Sequence, residues 1–217
     1  MKRKERKHLK EDKFQEAITQ IIEYARKYKK EIFMAGIAVA AVVAIFIVIQ
    51  VINAQNLKRQ NVQLYRIRSL SAELTEKPEN LQELEKLAGN GKFARLAHIE
   101  LAKYWLEKGN FAEAQSRLEK VRGKKDLFYY QAQDLLGQTF INQKEYDKAI
   151  GIYETIKEEN PENYVLDVVI FHLAEAYEGK GEIEKALGLY KRVQEDYPQT
   201  YYGNDASSKV KELEQKN

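Results

Sequence analysis

The sequence predicts an all-α protein in which a single transmembrane helix is followed by stacked helical hairpins, an α-α superhelix. Three observations lead to this prediction. Residues 32–52 form an apolar run without a charged side chain, and three later segments share one pattern at intervals of 35 and 37 residues. The chain also contains only 3 prolines and 11 glycines, whereas Glu, Lys, Leu, Ala and Gln, which favour helices, are abundant.

The apolar run at residues 32–52 reads IFMAGIAVAAVVAIFIVIQVI, and Gln50 is its only polar side chain. At about 1.5 Å per residue, a helix of this length spans the roughly 30 Å hydrocarbon core of a bilayer. Because the backbone must satisfy its own hydrogen bonds in lipid, the run is expected to form one helix. The alternative is a buried helix of a soluble core, but such a helix normally keeps a polar stripe, and this run has none.

A cleaved signal peptide is a second alternative for this region. The 31 residues before the run are long for the basic start of a signal peptide, and the run exceeds the usual length of roughly 7 to 15 residues. Asn53 and Ala54 also offer a poor cleavage site, because Ile52 is large where a small residue is preferred. An uncleaved anchor is therefore predicted.

Residues 1–31 form a basic segment that contains a predicted amphipathic helix. Its apolar side chains recur at helical spacing on one face: Phe14, Ala17, Ile18, Ile21, Ile22, Ala25 and Tyr28. Three interpretations remain open. The helix lies on an anionic cytoplasmic leaflet, or it is only a basic flank that sets topology, or it docks a cytoplasmic partner.

The charge distribution predicts the orientation of the chain. Residues 1–31 carry eleven Lys or Arg against six Asp or Glu, whereas the whole chain has a net charge of +3, so the remainder is slightly acidic. The positive-inside rule then predicts a cytoplasmic N-terminus and a C-terminal domain on the other side of the membrane. This balance argues against nucleic acid as a partner of the folded part.

Residues 53–91 are expected to form a linking helix and a short helix. No helix breaker occurs in residues 53–75, so the membrane helix is predicted to continue outward. Pro78 marks its end, a short helix follows at residues 79–88, and Asn90 with Gly91 predicts a turn. The remaining residues, 92–217, are predicted to be one repeat domain.

Three repeats are predicted at about residues 95–128, 130–163 and 167–200. In each, a leucine precedes a small residue, an aromatic follows three positions later, and an alanine and a large residue stand in the second helix. The packing positions are Leu101, Ala102, Trp105, Ala114 and Leu118, then Leu136, Gly137, Phe140, Ala149 and Tyr153, then Leu173, Ala174, Tyr177, Ala186 and Tyr190. Small residues allow the two helices of a hairpin to approach, and large residues fill the space between hairpins.

This pattern resembles the tetratricopeptide repeat, a helix–turn–helix unit of 34 residues. No such unit buries its apolar face alone, so the resemblance implies a stacked solenoid with a capping helix, here predicted at residues 204–215. The chain departs from the pattern at three places. Asp126 stands where the first unit lacks its closing proline, Lys144 replaces the usual turn glycine, and extra residues separate the second and third units.

The same resemblance implies that the first helix of each unit lines a concave groove. The candidate protein-binding positions are Leu96, Ile99, Lys103, Leu106, Asp134, Gln138, Ile141, Val168, Phe171, Glu175 and Glu178. This mixture of apolar and charged side chains suits an extended or helical polypeptide better than a small-molecule substrate. A clamp for a C-terminal carboxylate is disfavoured, because only Lys103 and Gln138 suit it while the three acidic positions repel an acidic tail.

The sequence contains no recognised catalytic, metal or cofactor motif. Cysteine is absent, which excludes disulfides and thiolate chemistry, and His8, His98 and His172 lie far apart without ligand-spaced neighbours. We therefore predict no enzyme activity, no cofactor and no metal. A cleft with converging, perturbed ionisable groups would revive an enzyme hypothesis.

Two tyrosine pairs have two interpretations. Residues 129–130 and residues 201–202 are each Tyr-Tyr, and they either pack between repeats or contact a partner.

The whole arrangement resembles the bacterial ancillary Sec translocon subunit, most closely at residues 81–121, LQELEKLAGNGKFARLAHIELAKYWLEKGNFAEAQSRLEKV. That resemblance implies a single-pass inner-membrane protein whose periplasmic repeats bind the export channel, a periplasmic chaperone or emerging secreted chains. The hypothesis is an adaptor or co-chaperone. The alternative is a scaffold for envelope assembly or division, because residues 190–213 also resemble repeats of such coordinators. Those proteins are typically lipidated or secreted, however, and this chain has no lipidation cysteine.

Overall fold

A computed structural model describes residues 16, 18–24, 26–162 and 164–216, with the side chains of Ile32 and Lys216 excepted. Within these residues the chain is helical and has no strand, which confirms the predicted all-α class. Besides a helical segment at residues 18–24, the helices are α1 (Lys29–Ala72), α2 (Asn80–Gly89), α3 (Ala94–Glu107), α4 (Phe111–Leu118), α5 (Leu127–Asn142), α6 (Tyr146–Glu159), α7 (Leu166–Lys180), α8 (Ile183–Asp196) and α9 (Tyr201–Lys216).

The chain divides into two compact units, the first ending at Asn61 and the second running from Val62 to Asn217. The first unit holds the apolar part of α1, which is long and apolar enough to span a membrane and whose apolar side chains are exposed. Ile18, Ile21 and Ile22 are exposed on the preceding helical segment. The other predicted members of that apolar face, Phe14, Ala17 and Ala25, lie outside the described residues, and Tyr28 forms a turn immediately before α1.

The second unit begins with the last turns of α1. Ile67 and Leu74 are buried in an apolar cluster with Leu84 of α2 and Leu96 and Leu101 of α3. α1 itself ends at Ala72, three residues before the predicted end. A turn at residues 73–76 follows, and it brings Leu74 into this cluster.

Three hairpins follow, formed by α3 with α4, α5 with α6, and α7 with α8. The small residues of the pattern are buried where the two helices of each hairpin meet, at Ala102 and Ala114, Gly137 and Ala149, and Ala174 and Ala186. The large residues Leu118, Tyr153 and Tyr190 are fully buried as well. Trp105, Leu136 and Tyr177 remain partly exposed. The sequence pattern thus corresponds to the close approach of paired helices.

The turns of the three hairpins share one backbone geometry. Gly109, Lys144 and Gly181 have φ values of 69°, 62° and 86°. The amide of each donates to the carbonyl three residues before it at 2.9 Å, and the following amide donates five residues back at 2.8–2.9 Å. Lys144 therefore adopts the left-handed conformation that glycine takes in the other repeats, at a cost of about 1–2 kcal/mol. The departure in sequence does not change the turn.

Helix α9 covers the end of the third hairpin. Ala206, Val210 and Leu213 are buried in a cluster with Ala186 and Tyr190. The helix begins at Tyr201, three residues earlier than predicted. Gly203 allows this close start, because a Cβ there would lie 1.9 Å from the carbonyl oxygen of Tyr197.

We predict that Gly137→Ala destabilises the repeat domain by about 1–3 kcal/mol, as overpacking does in well-packed cores. A Cβ at Gly137 would lie 2.4 Å from the ring of Tyr153, which is fully buried and cannot move away. Urea unfolding of the chain in detergent, followed by far-UV circular dichroism, measures the effect.

Gly188→Ala is the matched control, because a Cβ at that exposed position of α8 meets nothing within 4 Å. Alanine is the better helix former there, so the control variant should gain about 0.5–1 kcal/mol. Equal stability changes at the two positions would show that a clash with Tyr153 does not determine the effect of Gly137→Ala.

Candidate functional site

The candidate site is a groove along the inner faces of α3, α5 and α7. These are the first helices of the three hairpins, as the repeat pattern predicts. Its two halves differ in chemistry. A mostly apolar half lies toward α1 and α3, and a mostly polar half lies toward the ends of α5 and α7.

The apolar half is a cavity of about 750 Å³. Five helices and the loop before α7 contribute to its lining. The lining residues are Leu64 and Arg68 of α1; Phe93, just before α3; Leu96, Glu100 and Lys103 of α3; Leu127, Phe128, Gln131, Asp134 and Leu135 of α5; Tyr164 and Val165 of the loop; Val168 of α7; and Tyr202 of α9. Leu127 and Val165 stand at its mouth with 52% and 63% of their surface exposed. Apolar side chains in a concave cleft of this size are typical of a site that binds another molecule.

The polar half is a cavity of about 590 Å³ lined by Gln138, Ile141, Asn142, Tyr146, His172, Glu175, Glu178, Gly179 and Lys209. Gly179 gives α7 room here, because a Cβ would lie 2.3 Å from the ring of Tyr146. Three carboxylates, those of Asp134, Glu175 and Glu178, lie in or next to this half.

Asp134 and His172 form a buried pair between the two halves. His172 Nδ1 lies 2.7 Å from Asp134 Oδ1, and only 6% of each residue is exposed. Gln138 Nε2 donates to the other carboxylate oxygen at 3.2 Å, and the Tyr153 hydroxyl donates to the Asp134 carbonyl at 2.9 Å. This network links α5, α6 and α7.

The pair changes the acid–base properties of its surroundings. Burial alone would lower the pKa of His172, but the hydrogen bond to Asp134 and the charges of Asp134 and Glu175 outweigh it and raise that pKa. Burial and the nearby Asp134 also raise the pKa of Tyr164, and burial with the charges of Asp134 and Glu175 raises the pKa of Tyr202 to about 12. At neutral pH these tyrosines are therefore neutral.

Glu178 is held by two groups from other helices. Lys209 Nζ of α9 lies 3.1 and 3.0 Å from the two Glu178 carboxylate oxygens, and the Tyr190 hydroxyl donates to Glu178 Oε2 at 2.7 Å. The capping helix thus supplies a cation to the groove as well as covering the core.

The predicted groove positions divide into those that line a cavity and those that do not. Leu96, Lys103, Asp134 and Val168 line the apolar half, and Gln138, Ile141, Glu175 and Glu178 line the polar half. Leu106 is partly exposed next to them. Ile99 and Phe171 are different, because they line neither cavity and are buried inside the stack.

Ile99 packs with Ala102, Leu118, Val121 and Ala132 inside the stack. Phe171 packs against the rings of Tyr190 and Tyr202 at centroid distances of 5.3 and 5.1 Å. The assignment of these two side chains to the groove surface is therefore corrected. The interface with the next hairpin or the capping helix covers them.

Several groove residues were missed because they come from outside the repeat pattern. Leu64 and Arg68 belong to the linking helix, Tyr164 and Val165 to the extra residues before α7, and Tyr202 and Lys209 to the capping helix. The sequence points to Tyr202 only as one member of a tyrosine pair, and its neighbour Tyr201 is exposed.

In the other tyrosine pair, at residues 129 and 130, one member packs inside the domain. Tyr130 is buried, and its hydroxyl donates to Glu159 at 2.9 Å.

The two members of the disfavoured carboxylate clamp are already engaged. Lys103 Nζ lies 3.1 Å from Glu100, and the Gln138 amide bonds Asp134. Within the described ranges, no group of three or more His, Asp or Glu side chains is placed to hold a metal ion.

Comparison with known proteins identifies the repeats. Residues 85–164 and residues 169–200 each match a family model described as tetratricopeptide repeat, which confirms the predicted resemblance. A solved structure described as "MamA RS-1 ArsTM double mutant" is similar at 18% identity, covering 69% of this chain and 93% of that one with a TM-score of 0.50. At that identity the likeness shows the fold alone. Comparison with curated proteins gives no match.

We predict that the stabilisation supplied by the pair of Asp134 and His172 falls as the pH rises through the pKa of His172. A histidine whose pKa is raised on folding contributes fully below its unfolded pKa of about 6.5, and the contribution is lost as the pH rises through the folded pKa. The difference in free energy of unfolding between wild type and His172→Gln should therefore shrink as the pH rises above about 6.5. Each unit of pKa difference corresponds to about 1.4 kcal/mol. Urea unfolding read by Trp105 fluorescence measures it.

His98→Gln is the control, because its effect on stability is expected to change with pH in the opposite direction. Burial, together with the charges of Lys120 and Arg117, lowers the pKa of His98, so its protonation on acidification destabilises the fold. The difference between wild type and this variant should grow with rising pH. If both differences have the same sign of slope, the pair of Asp134 and His172 is not the titrating interaction.

Proposed function

We propose that this tetratricopeptide repeat protein is a membrane-anchored adaptor or co-chaperone that binds a polypeptide segment of a partner protein in its groove. The observation that carries the proposal is the apolar half of the groove, where Leu127 and Val165 remain exposed at the mouth of a cavity of about 750 Å³. Exposed apolar groups in a cleft favour a partner, since covering them removes apolar surface from water.

The anchoring part of the proposal rests on α1. One segment of this helix is long and apolar enough to cross a bilayer, and its side chains are exposed rather than buried in a core. A lipid environment would cover them. The excess of Lys and Arg before the apolar segment supports an N-terminus in the cytoplasm and repeats on the periplasmic side of a bacterial inner membrane.

The partners we propose are those of the protein-export machinery: the export channel, a membrane-anchored periplasmic chaperone, or emerging secreted chains. Support comes from the resemblance of the chain's order of elements to the ancillary Sec translocon subunit. A scaffold in envelope assembly or division uses the same groove chemistry and differs only in the proteins bound.

Converging ionisable groups in the groove raise the enzyme hypothesis again. Asp134, His172 and Glu175 meet in one place, and the pKa values of His172 and Glu175 are raised. The geometry favours a structural role, because His172 is 6% exposed and, among the described residues, no hydroxyl or thiol is hydrogen-bonded to its ring. Tetratricopeptide repeats are typically scaffolds rather than enzymes.

The orientation is tested by protease protection of a C-terminal tag in intact and in osmotically opened cells. We expect the tag to be cleaved only after the outer barrier is opened. Protection until the inner membrane is broken would put the repeats in the cytoplasm and remove the export proposal.

The groove is tested by photo-cross-linking in cells. A benzoylphenylalanine at Val165 should give adducts with export-channel or periplasmic chaperone proteins, because this side chain stands at the cavity mouth. The same substitution at Glu195, exposed on α8 and outside the groove, is the matched control and should not. Identical adducts from both positions would refute binding in the groove, and adducts with division or outer-membrane assembly proteins would favour the scaffold alternative.

A further inference from the structure

Among the residues that the structure describes, one carboxylate in the polar half of the groove has no ion-pair partner. Asp134 is paired with His172, and Glu178 is paired with Lys209 and accepts a hydrogen bond from Tyr190. Glu175, one turn before Glu178 on α7, has neither an ion pair nor a hydrogen-bonded side-chain partner in the part of the chain that the structure describes. Glu175 is therefore the carboxylate of the polar half that lacks a paired cation among the described residues.

The surroundings of Glu175 disfavour its ionised form. The side chain is half-buried, and its carboxylate lines the same cavity as Gln138, Ile141 and Asn142. Burial raises its pKa, and the charges of Glu178 and Asp134 act in the same direction, while His172 and Lys209 offset part of the effect. A cation entering this cavity would remove that penalty.

Glu175 lies at a defined distance from the apolar half, because both halves receive residues from α7. Val168 lines the apolar cavity and lies seven residues before Glu175 on α7, which places the two about 10 Å apart along the helix. An extended polypeptide covers about 3.3 Å per residue, so roughly three residues separate the groups that would contact these two positions. Because a Lys or Arg side chain is long, a spacing of two to four residues between the apolar residue and the cation would allow both contacts.

We propose that the occupant of the groove is an extended polypeptide segment with an apolar side chain and, two to four residues away, a Lys or Arg that pairs with Glu175. The inference rests on the proposed adaptor function and names the chemistry of its partner. The apolar side chain enters the cavity bordered by Leu127 and Val165, and the cation enters the cavity that Glu175 lines. An acidic side chain is disfavoured in the polar half, because Lys209 is already paired with Glu178 and Glu175 would repel it.

The test measures binding of three labelled nonapeptides to the full chain in phosphatidylcholine nanodiscs by fluorescence anisotropy. The peptides are Gly-Leu-Ala-Xaa-Leu-Ala-Xaa-Leu-Gly with Xaa as Lys, Gln or Glu, so they differ only in charge. We expect the Lys peptide to bind tightest and the Glu peptide weakest. Raising the salt concentration should weaken only the Lys peptide toward the level of the Gln peptide.

Glu175→Gln separates the named residue from the general acidity of the groove. It should weaken the Lys peptide by roughly 3- to 10-fold, as expected for a half-buried ion pair, and change binding of the Gln peptide less than twofold. The matched control is Glu195→Gln, which removes the same charge from an exposed position of α8 and should leave all three affinities unchanged. Circular dichroism establishes that both variants are folded.

The outcomes distinguish this inference from the adaptor function beneath it. If the Lys and Gln peptides bind equally well, or if Glu175→Gln and Glu195→Gln have the same effect, the role of Glu175 is overturned while groove binding stands. Preferential binding of the Glu peptide also overturns it. If no peptide binds, the inference falls, and if cross-links from Val165 are absent as well, the adaptor function falls with it.

Discussion

The contact between the ring of Tyr153 and the backbone at Gly137 is the constraint on which much of the groove depends. Because no Cβ separates the helices, the tyrosine lies directly against α5, and its hydroxyl reaches the Asp134 carbonyl at 2.9 Å. That hydrogen bond ties α6 to the residue whose carboxylate holds His172 of α7 at 2.7 Å. One small residue thus connects the packing of a hairpin to the position of the next one. These two contacts together hold Asp134 and His172 in place at the base of the groove.

Burying a charge at the base of the groove costs free energy unless the charge has a partner, and the carboxylates here differ in the partners they have. Asp134 has His172 and Gln138, and Glu178 has Lys209 and Tyr190. Lys209 comes from α9, so the helix that covers the last apolar face also completes the electrostatics of the inner surface. Among the described residues, Glu175 has no paired cation, unlike these two neighbours. This difference is the basis of the proposed preference for a cationic side chain, which the apolar half alone does not provide.

The repeats were predictable from sequence because their spacing reflects helix geometry. Small residues at Ala102, Gly137 and Ala174 mark close helix contacts, and the turn positions Gly109, Lys144 and Gly181 share one backbone conformation although one is a lysine. The groove was predictable only in part. Periodicity shows which face of a helix points inward, but it does not show how far the neighbouring hairpin covers that face. Ile99 and Phe171 have groove spacing, yet the adjacent hairpin and the capping helix bury them.

The groove residues that spacing could not identify are also those that make this groove different from a general repeat surface. Leu64 and Arg68 enter from the end of α1, Tyr164 and Val165 from the residues added before α7, and Tyr202 and Lys209 from the cap. These positions lie outside the repeat pattern, so the pattern does not constrain them. They nevertheless form part of the walls of both cavities. Stacking of the repeats therefore explains why a groove exists and supplies its carboxylates, whereas the elements outside the repeats add part of its apolar walls and the cation of Lys209.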